Sequence, residues 1–192
     1  MLSEPETQYY YETAEAYLAG ERLADRKHEY LAGVIYAMAG ATRDHNRIAA
    51  NILGDLLQQL RGRPCEPFSS DMKVRIRKDA AEFYYYPDVT VDCSGGPGAS
   101  HFIEAPRVVF EVLSPDTERI DHGEKLRNYQ ALASLHVYVL VDQFHIAVTV
   151  YRRTADSWKR EFLSTKEDVL TLPEIDCQLR MTAIYERTHL VE

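Results

Sequence analysis

The chain has 192 residues, 45% of them hydrophobic and 27% charged, a balance that fits one soluble globular domain able to bury a core without disulfide staples. Lys and Arg total 22 against 30 Asp and Glu, a formal net charge of −8. That charge excludes a generic basic coat protein for nucleic acid, because no global positive field would draw in a polyanion, although local contacts remain open. No stretch approaches the roughly 20 apolar residues of a membrane span. Met1 to Tyr11 carries acids and tyrosines where a secretory signal needs a basic start and an apolar run, so a cytoplasmic chain is expected. Without repeats or linker-like shifts, 1–192 reads as a single domain. Cys65, Cys93 and Cys177 lack C-x-x-C spacing, which speaks against a zinc ribbon or a thioredoxin-type pair. Cys93 closes an apolar run and reads as a small buried hydrophobe. The seven histidines form no close ligand pair, so a catalytic zinc site is not expected.

Thr13 is a reasonable N-cap for an opening helix to about Arg22, and His28 to Met38 reads as two short strands around Ala32-Gly33. The clearest helix spans roughly Asp44 to Leu60. Ile48, Ile52, Leu53, Leu56 and Leu60 share one face at helical spacing. Met72, Val74 and Ile76 alternate with Lys73, Arg75 and Arg77, the pattern of a half-buried strand. A second strand is expected from Tyr86 to Cys93. The flexible Ser94 to Gly98 loop precedes a third, Arg107 to Leu113, apolar enough to lie mid-sheet with both faces covered. Asp121, with Glu124 three residues on, resembles a capping box opening a helix to about Ala133. Val137 to Val141, Ile146 to Tyr151 and Trp158 to Leu163 read as further strands, and a short helix follows Thr182. The order from 44 to 142 is helix, three strands, helix, strand, an α/β (α+β) arrangement with a mixed sheet between helices and extra antiparallel strands at the C-terminal end.

Glu111 is the strongest anomaly. It shares a strand face with Val109 and Leu113, where a carboxylate rarely sits unless paired or bound to a metal. The competing explanation, an edge strand meeting solvent, fits poorly with so apolar a run. Asp88 shares a face with Thr90 and Asp92, so a plain polar face explains it equally well. With Glu111 on a neighbouring strand, the two carboxylates could form a hard oxygen site for magnesium or manganese. Lys125 falls in the inward stripe of its helix beside Leu126, Tyr129 and Leu132. It is either a snorkelling lysine or an ammonium that orients an attacking water and stabilises a phosphate transition state. His45 is a core histidine or a ligand, and Glu29 a surface glutamate or an auxiliary acid. Lys73, Arg75 and Arg77 are a solvated strand face or phosphate contacts.

These residues, in order, resemble the Uma-two family of restriction endonucleases, a branch of the PD-(D/E)XK phosphodiesterase superfamily. The matching segments are Glu29-Tyr30-Leu31-Ala32-Gly33, His45, Ser70-Asp71-Met72-Lys73-Val74, Tyr86-Pro87-Asp88-Val89-Thr90-Val91, Phe110-Glu111-Val112-Leu113-Ser114-Pro115 and Gly123-Glu124-Lys125, continued by Ser134-Leu135 and Tyr138-Val139-Leu140-Val141-Asp142. The resemblance covers about 12–185 and implies a restriction-endonuclease-like core in the order α-β-β-β-α-β. It makes Pro87-Asp88 the PD element and Glu111 the second acid, and so implies a metal-dependent endonuclease acting on DNA with Mg2+ or Mn2+. Leu113 stands where many superfamily members carry the lysine, and the resemblance moves that role to Lys125. Val34 is a second departure, at a place where family members often have an acid. Asp88 and Glu111, with the Val112 carbonyl, are then the expected metal ligands, with Lys125 as the third catalytic residue and no organic cofactor. A homodimer is expected from exposed strand edges. The alternative is a catalytically silent module that binds nucleic acid or protein on the same fold.

Overall fold

In the computed structural model, residues 12–114 and 121–191 are described. Thr13 caps α1 (Ala14–Glu21) by accepting from the Ala16 amide. The strands β1 (His28–Leu31) and β2 (Val34–Ala37) form a hairpin. Its two-residue turn puts both Ala32 (φ 50°) and Gly33 (φ 103°) at positive φ, as a twist-compatible hairpin turn requires. Then come α2 (Arg43–Gln59), β3 (Glu66–Ser69), β4 (Lys73–Lys78), β5 (Ala81–Tyr85), β6 (Val89–Asp92), β7 (Phe102–Ile103) and β8 (Pro106–Leu113). A π-helical turn, Asp121–Lys125, runs into α3 (Leu126–Gln130). The chain continues through β9 (Val137–Asp142), β10 (Val148–Arg153), β11 (Trp158–Leu163), β12 (Val169–Leu172), β13 (Cys177–Arg180) and α4 (Met181–Ile184).

Two sheets organise the molecule. The larger has the order β11-β10-β9-β8-β6-β3 and the smaller β2-β1-β5-β4-β7, while β12 and β13 pair separately. Most neighbours are antiparallel; β8 and β9 are parallel, as are β4 and β7. A parallel pair needs a crossover, and the π turn and α3 form it. One face of the large sheet packs Val89, Val91, Phe110 and Val139 against Ile48, Ile52 and Leu56 of α2 and against Leu170 and Leu179 of the β12–β13 hairpin. The other packs Val109, Tyr138 and Leu140 against Tyr129 of α3 and Val74, Ile76 and Tyr85 of the small sheet. The β8 strand is therefore covered on both sides, as its unbroken apolar run requires.

Several expectations need correction. The expected strand at 72–77 is β4 and belongs to the small sheet; β3, β6 and β8 supply the large sheet before the crossover. The expected strand at 86–93 begins only at Val89, because residues 86–88 carry the chain from one sheet to the other. Cys93 is not a lone hydrophobe: it is disulfide-bonded to Cys65, one pair beyond Glu66 opposite Asp92 in the β3–β6 ladder. Asp121 does not cap a helix; its side chain is buried in the π turn. Lys73 is buried as well, rather than solvated with Arg77. The Ser114-Pro115 strand end falls partly outside the described residues.

Candidate active site

Asp88 stands where the chain steps from β5 into β6. Because Val89 is opposite Phe110 in the antiparallel β6–β8 pair, Asp88 falls opposite Glu111. The Val112 amide donates to Asp88 Oδ2 at 2.7 Å, which locks that carboxylate onto the β8 edge. His45 Nε2 lies 3.5 Å from the same oxygen. Thr42 sets this approach. Its hydroxyl caps α2 by accepting from the His45 amide, and it donates to Gln143 Oε1, whose amide donates in turn to the Leu113 carbonyl. The start of α2 is thereby pinned to the ends of β8 and β9. His45 is not a satisfied core histidine, since its buried Nδ1 has no hydrogen-bond partner.

Glu111 is 4% exposed, on the face covered by α3 and the small sheet. Its Oε1 accepts from Lys125 Nζ and from the Tyr129 hydroxyl, each at 3.4 Å. Lys125 Nζ also lies 3.0 Å from Glu29 Oε1 and 3.3 Å from Asp121 Oδ1, and 5.4 Å from the centre of the Tyr85 ring. Glu29 accepts in addition from the Tyr86 amide, two residues before Asp88. One ammonium is thus surrounded by carboxylates from β1, β8 and its own turn. The structure brings together Asp88, Glu111, Lys125, Glu29 and His45, and adds Asp121. Lys73 and Arg75 sit elsewhere, on the opposite face of the small sheet by strand alternation.

The electrostatics follow from burial. Desolvation pushes the Glu111 carboxyl well above its usual range, with Lys125 opposing and Asp121, Asp88 and Glu29 reinforcing. Desolvation also raises Asp88, against the pull of His45, the Val112 amide and Lys125. For Lys125, burial alone favours the neutral amine, but Glu111, Glu29 and Asp121 outweigh it and the ammonium holds its proton well above the ordinary lysine range. The cluster has more acid than base, and each buried carboxylate raises the others' affinity for a proton. Among the described residues, no three His, Cys, Asp or Glu side chains converge as a ready-made metal cage.

Sequence reasoning missed Asp121. Its spacing from Glu124 reads as a helix cap, but an acid four residues before an inward-facing lysine would place both on one side of a helix. That signal was available in the sequence.

The family model described as Uma2, putative restriction endonuclease, matches residues 14–183. The chain belongs to this family. Among similar proteins, the uncharacterized protein slr1290 of Synechocystis sp. (strain ATCC 27184 / PCC 6803 / Kazusa) is 34% identical over 172 residues, 89% of this chain and 90% of that one. A second uncharacterized protein of the same organism, sll1609, is 33% identical over 157 residues, covering 80% and 86%. The fold is similar to the crystal structure of a putative nuclease belonging to DUF820 from Anabaena variabilis ATCC 29413, with a TM-score of 0.68 at 17% identity, over 84% of this chain and 91% of that one. The expected restriction-endonuclease-like fold class thus agrees with both the family and the structural neighbour. Among the described residues, no helix is long and apolar enough to cross a membrane.

Proposed function

We propose that this Uma2 protein is a divalent-cation-dependent endonuclease that hydrolyses phosphodiester bonds in DNA. The observation that carries this reading is the pairing of Asp88 with Glu111 across β6 and β8 beside the buried Lys125. The donor set fits a hard cation: two carboxylates that burial and mutual repulsion leave under-neutralised, with the Val112 carbonyl on the same strand. Asp88 and Glu111 would hold Mg2+ or Mn2+, which supplies an acidified water and neutralises charge on a phosphate.

The chain's own residues do the rest. The Val112 amide fixes one oxygen of Asp88 and so orients the carboxylate. Lys125 places a proton-bearing cation beside Glu111, suited to orienting the attacking water and to stabilising charge on a pentacoordinate phosphate. Glu29 and Tyr129 hold Lys125 and Glu111 in place. A homodimer in the cytoplasm completes the reading; β11 ends the large sheet with Phe162 exposed, and such an edge can pair with a second copy.

Incubation of supercoiled plasmid with the protein and millimolar Mg2+ or Mn2+ tests this, beside calorimetric titration of the cation. Nicking and linearisation that disappear in Asp88→Asn, together with cation binding to the wild type, are expected. Absence of both would instead favour a silent binding module, a reading to which the net charge of −8 lends some weight.

A further inference from the structure

Asp121 is the least explained charge in the molecule. It is 1% exposed, and its Oδ1 accepts no hydrogen bond. A buried carboxylate oxygen left in that state opposes folding unless a charge answers it. The group facing it is Lys125 Nζ at 3.3 Å. The two residues are the first and last of one π-helical turn, a local geometry that departs from the α-helix following it and tends to occur at functional sites. The turn is anchored from outside the site, since the Tyr138 hydroxyl of β9 donates to the Asp121 carbonyl at 3.3 Å. Asp121 is therefore fixed through its backbone, with its carboxylate beside the ammonium.

We infer that Asp121 is a positioning residue for Lys125: it holds the ammonium in the carboxylate cluster, so that Lys125 keeps its place whether or not Glu111 is engaged elsewhere. Glu29 divides its Oε1 between Lys125 and the Tyr86 amide, at 3.0 and 3.3 Å. Among the described residues, the Asp121 carboxylate has one ion-pair partner, Lys125. The role rests on the nuclease reading only for its consequence in catalysis; the restraint on Lys125 belongs to the metal-free chain.

The test uses the full chain labelled with 15N. A buried ammonium with three carboxylate partners exchanges its protons slowly and gives a lysine Nζ–H cross-peak, assigned by its loss in Lys125→Met. Asp121→Asn keeps the volume and removes the charge. The expected result is broadening or loss of that peak in metal-free Asp121→Asn and its return in Asp121→Glu, with cleavage reduced about 10-fold or more in kcat and KM for DNA unchanged. An Asp121→Asn peak identical to wild type in shift and width would overturn the inference. If Asp121→Asn fails to fold, titration of the wild type with Mg2+ decides: a peak that shifts but persists supports the restraint, and a peak that vanishes refutes it. If wild type cleaves nothing, the nuclease reading fails while the metal-free spectra still decide the role of Asp121.

Discussion

Among the described residues two lysines are buried, one on each face of the small sheet, and their surroundings are opposites. Lys125 lies among Glu29, Glu111 and Asp121. Lys73, 8% exposed, donates to the neutral Tyr86 hydroxyl, which donates in turn to Glu21. Burial depresses Lys73 below its ordinary range, Glu21 opposing and Arg22 and Lys27 adding to the fall. At Lys125 the carboxylates win and the proton is held more tightly. Similar burial therefore produces opposite outcomes, and what decides is the charge delivered by neighbouring strands. The Lys73 side is internally balanced; the Lys125 side carries surplus negative charge that the fold itself does not use.

The largest effects should separate the two. Asp88→Asn and Glu111→Gln should each lower plasmid cleavage by about 10²–10³-fold or more, the scale of losing one pre-organised electrostatic group, and should abolish the calorimetric heat of Mg2+ binding. Lys125→Met should lower cleavage similarly while Mg2+ affinity holds or rises, because a competing cation has left the carboxylates. Lys73→Met should leave both readouts at wild-type values. Equal losses from the two lysine variants would erase the distinction drawn here.

Stability sharpens it next. Lys125→Met strands buried carboxylates without a counter-charge, so urea unfolding at pH 7 should show a loss of about 3–5 kcal/mol. Lys73→Met removes a buried cation with no acid in direct contact and should be neutral or mildly stabilising. Removing one acid should act in the other direction. The Glu111 carboxyl is raised in the folded state, so folding favours its protonated form; that stability is present below the unfolded pKa and lost as pH rises through the folded one. Metal-free Glu111→Gln should accordingly melt higher than wild type at pH 8, by roughly 2–4 °C per kcal/mol gained for a chain of this size, and the advantage should shrink toward pH 4.

A finer contrast is in titration itself. Followed by the 13Cε shifts of the two side chains, Lys73 should lose its proton below the ordinary lysine value and Lys125 above it. The smallest expected effect is at Thr42→Ala, which removes the α2 cap and the link to Gln143. It should cost about 1 kcal/mol, with a modest loss of cleavage through a displaced His45.

Some elements were legible because their burial leaves a pattern, one buried face in α2 and two in β8. The 3.6-residue stripe of α2 and the unbroken apolar run of β8 could be read directly, and Glu111 stood out against that run. The short strands β3, β5, β7, β12 and β13 were not, since two to five residues carry too little periodicity to distinguish a strand from a loop. Nor could alternation at 72–77 reveal which sheet would receive β4. At the site, Glu111 and Lys125 were visible as charges in apolar stripes. Glu29 lies in a four-residue strand and His45 in the first turn of α2, where only tertiary neighbours decide whether a charge meets water or a partner. Lys73 was misread because its alternation with Val74 is that of a solvated face, whereas its ammonium meets Tyr86 and, behind it, Glu21 of α1.

The parallel pairing of β8 with β9 also bears on synthesis. A hairpin can zip as it leaves the ribosome, but two strands running the same way require the chain to depart and return. The return path carries Asp121 and Lys125, and the Tyr138 hydroxyl that anchors the Asp121 carbonyl is absent until Val137 to Asp142 has been made. A nascent chain ending before β9 holds Asp88, Glu111 and Lys125, yet lacks the strand that anchors the turn carrying the lysine. In the proposed nuclease, that anchoring is one late event in translation.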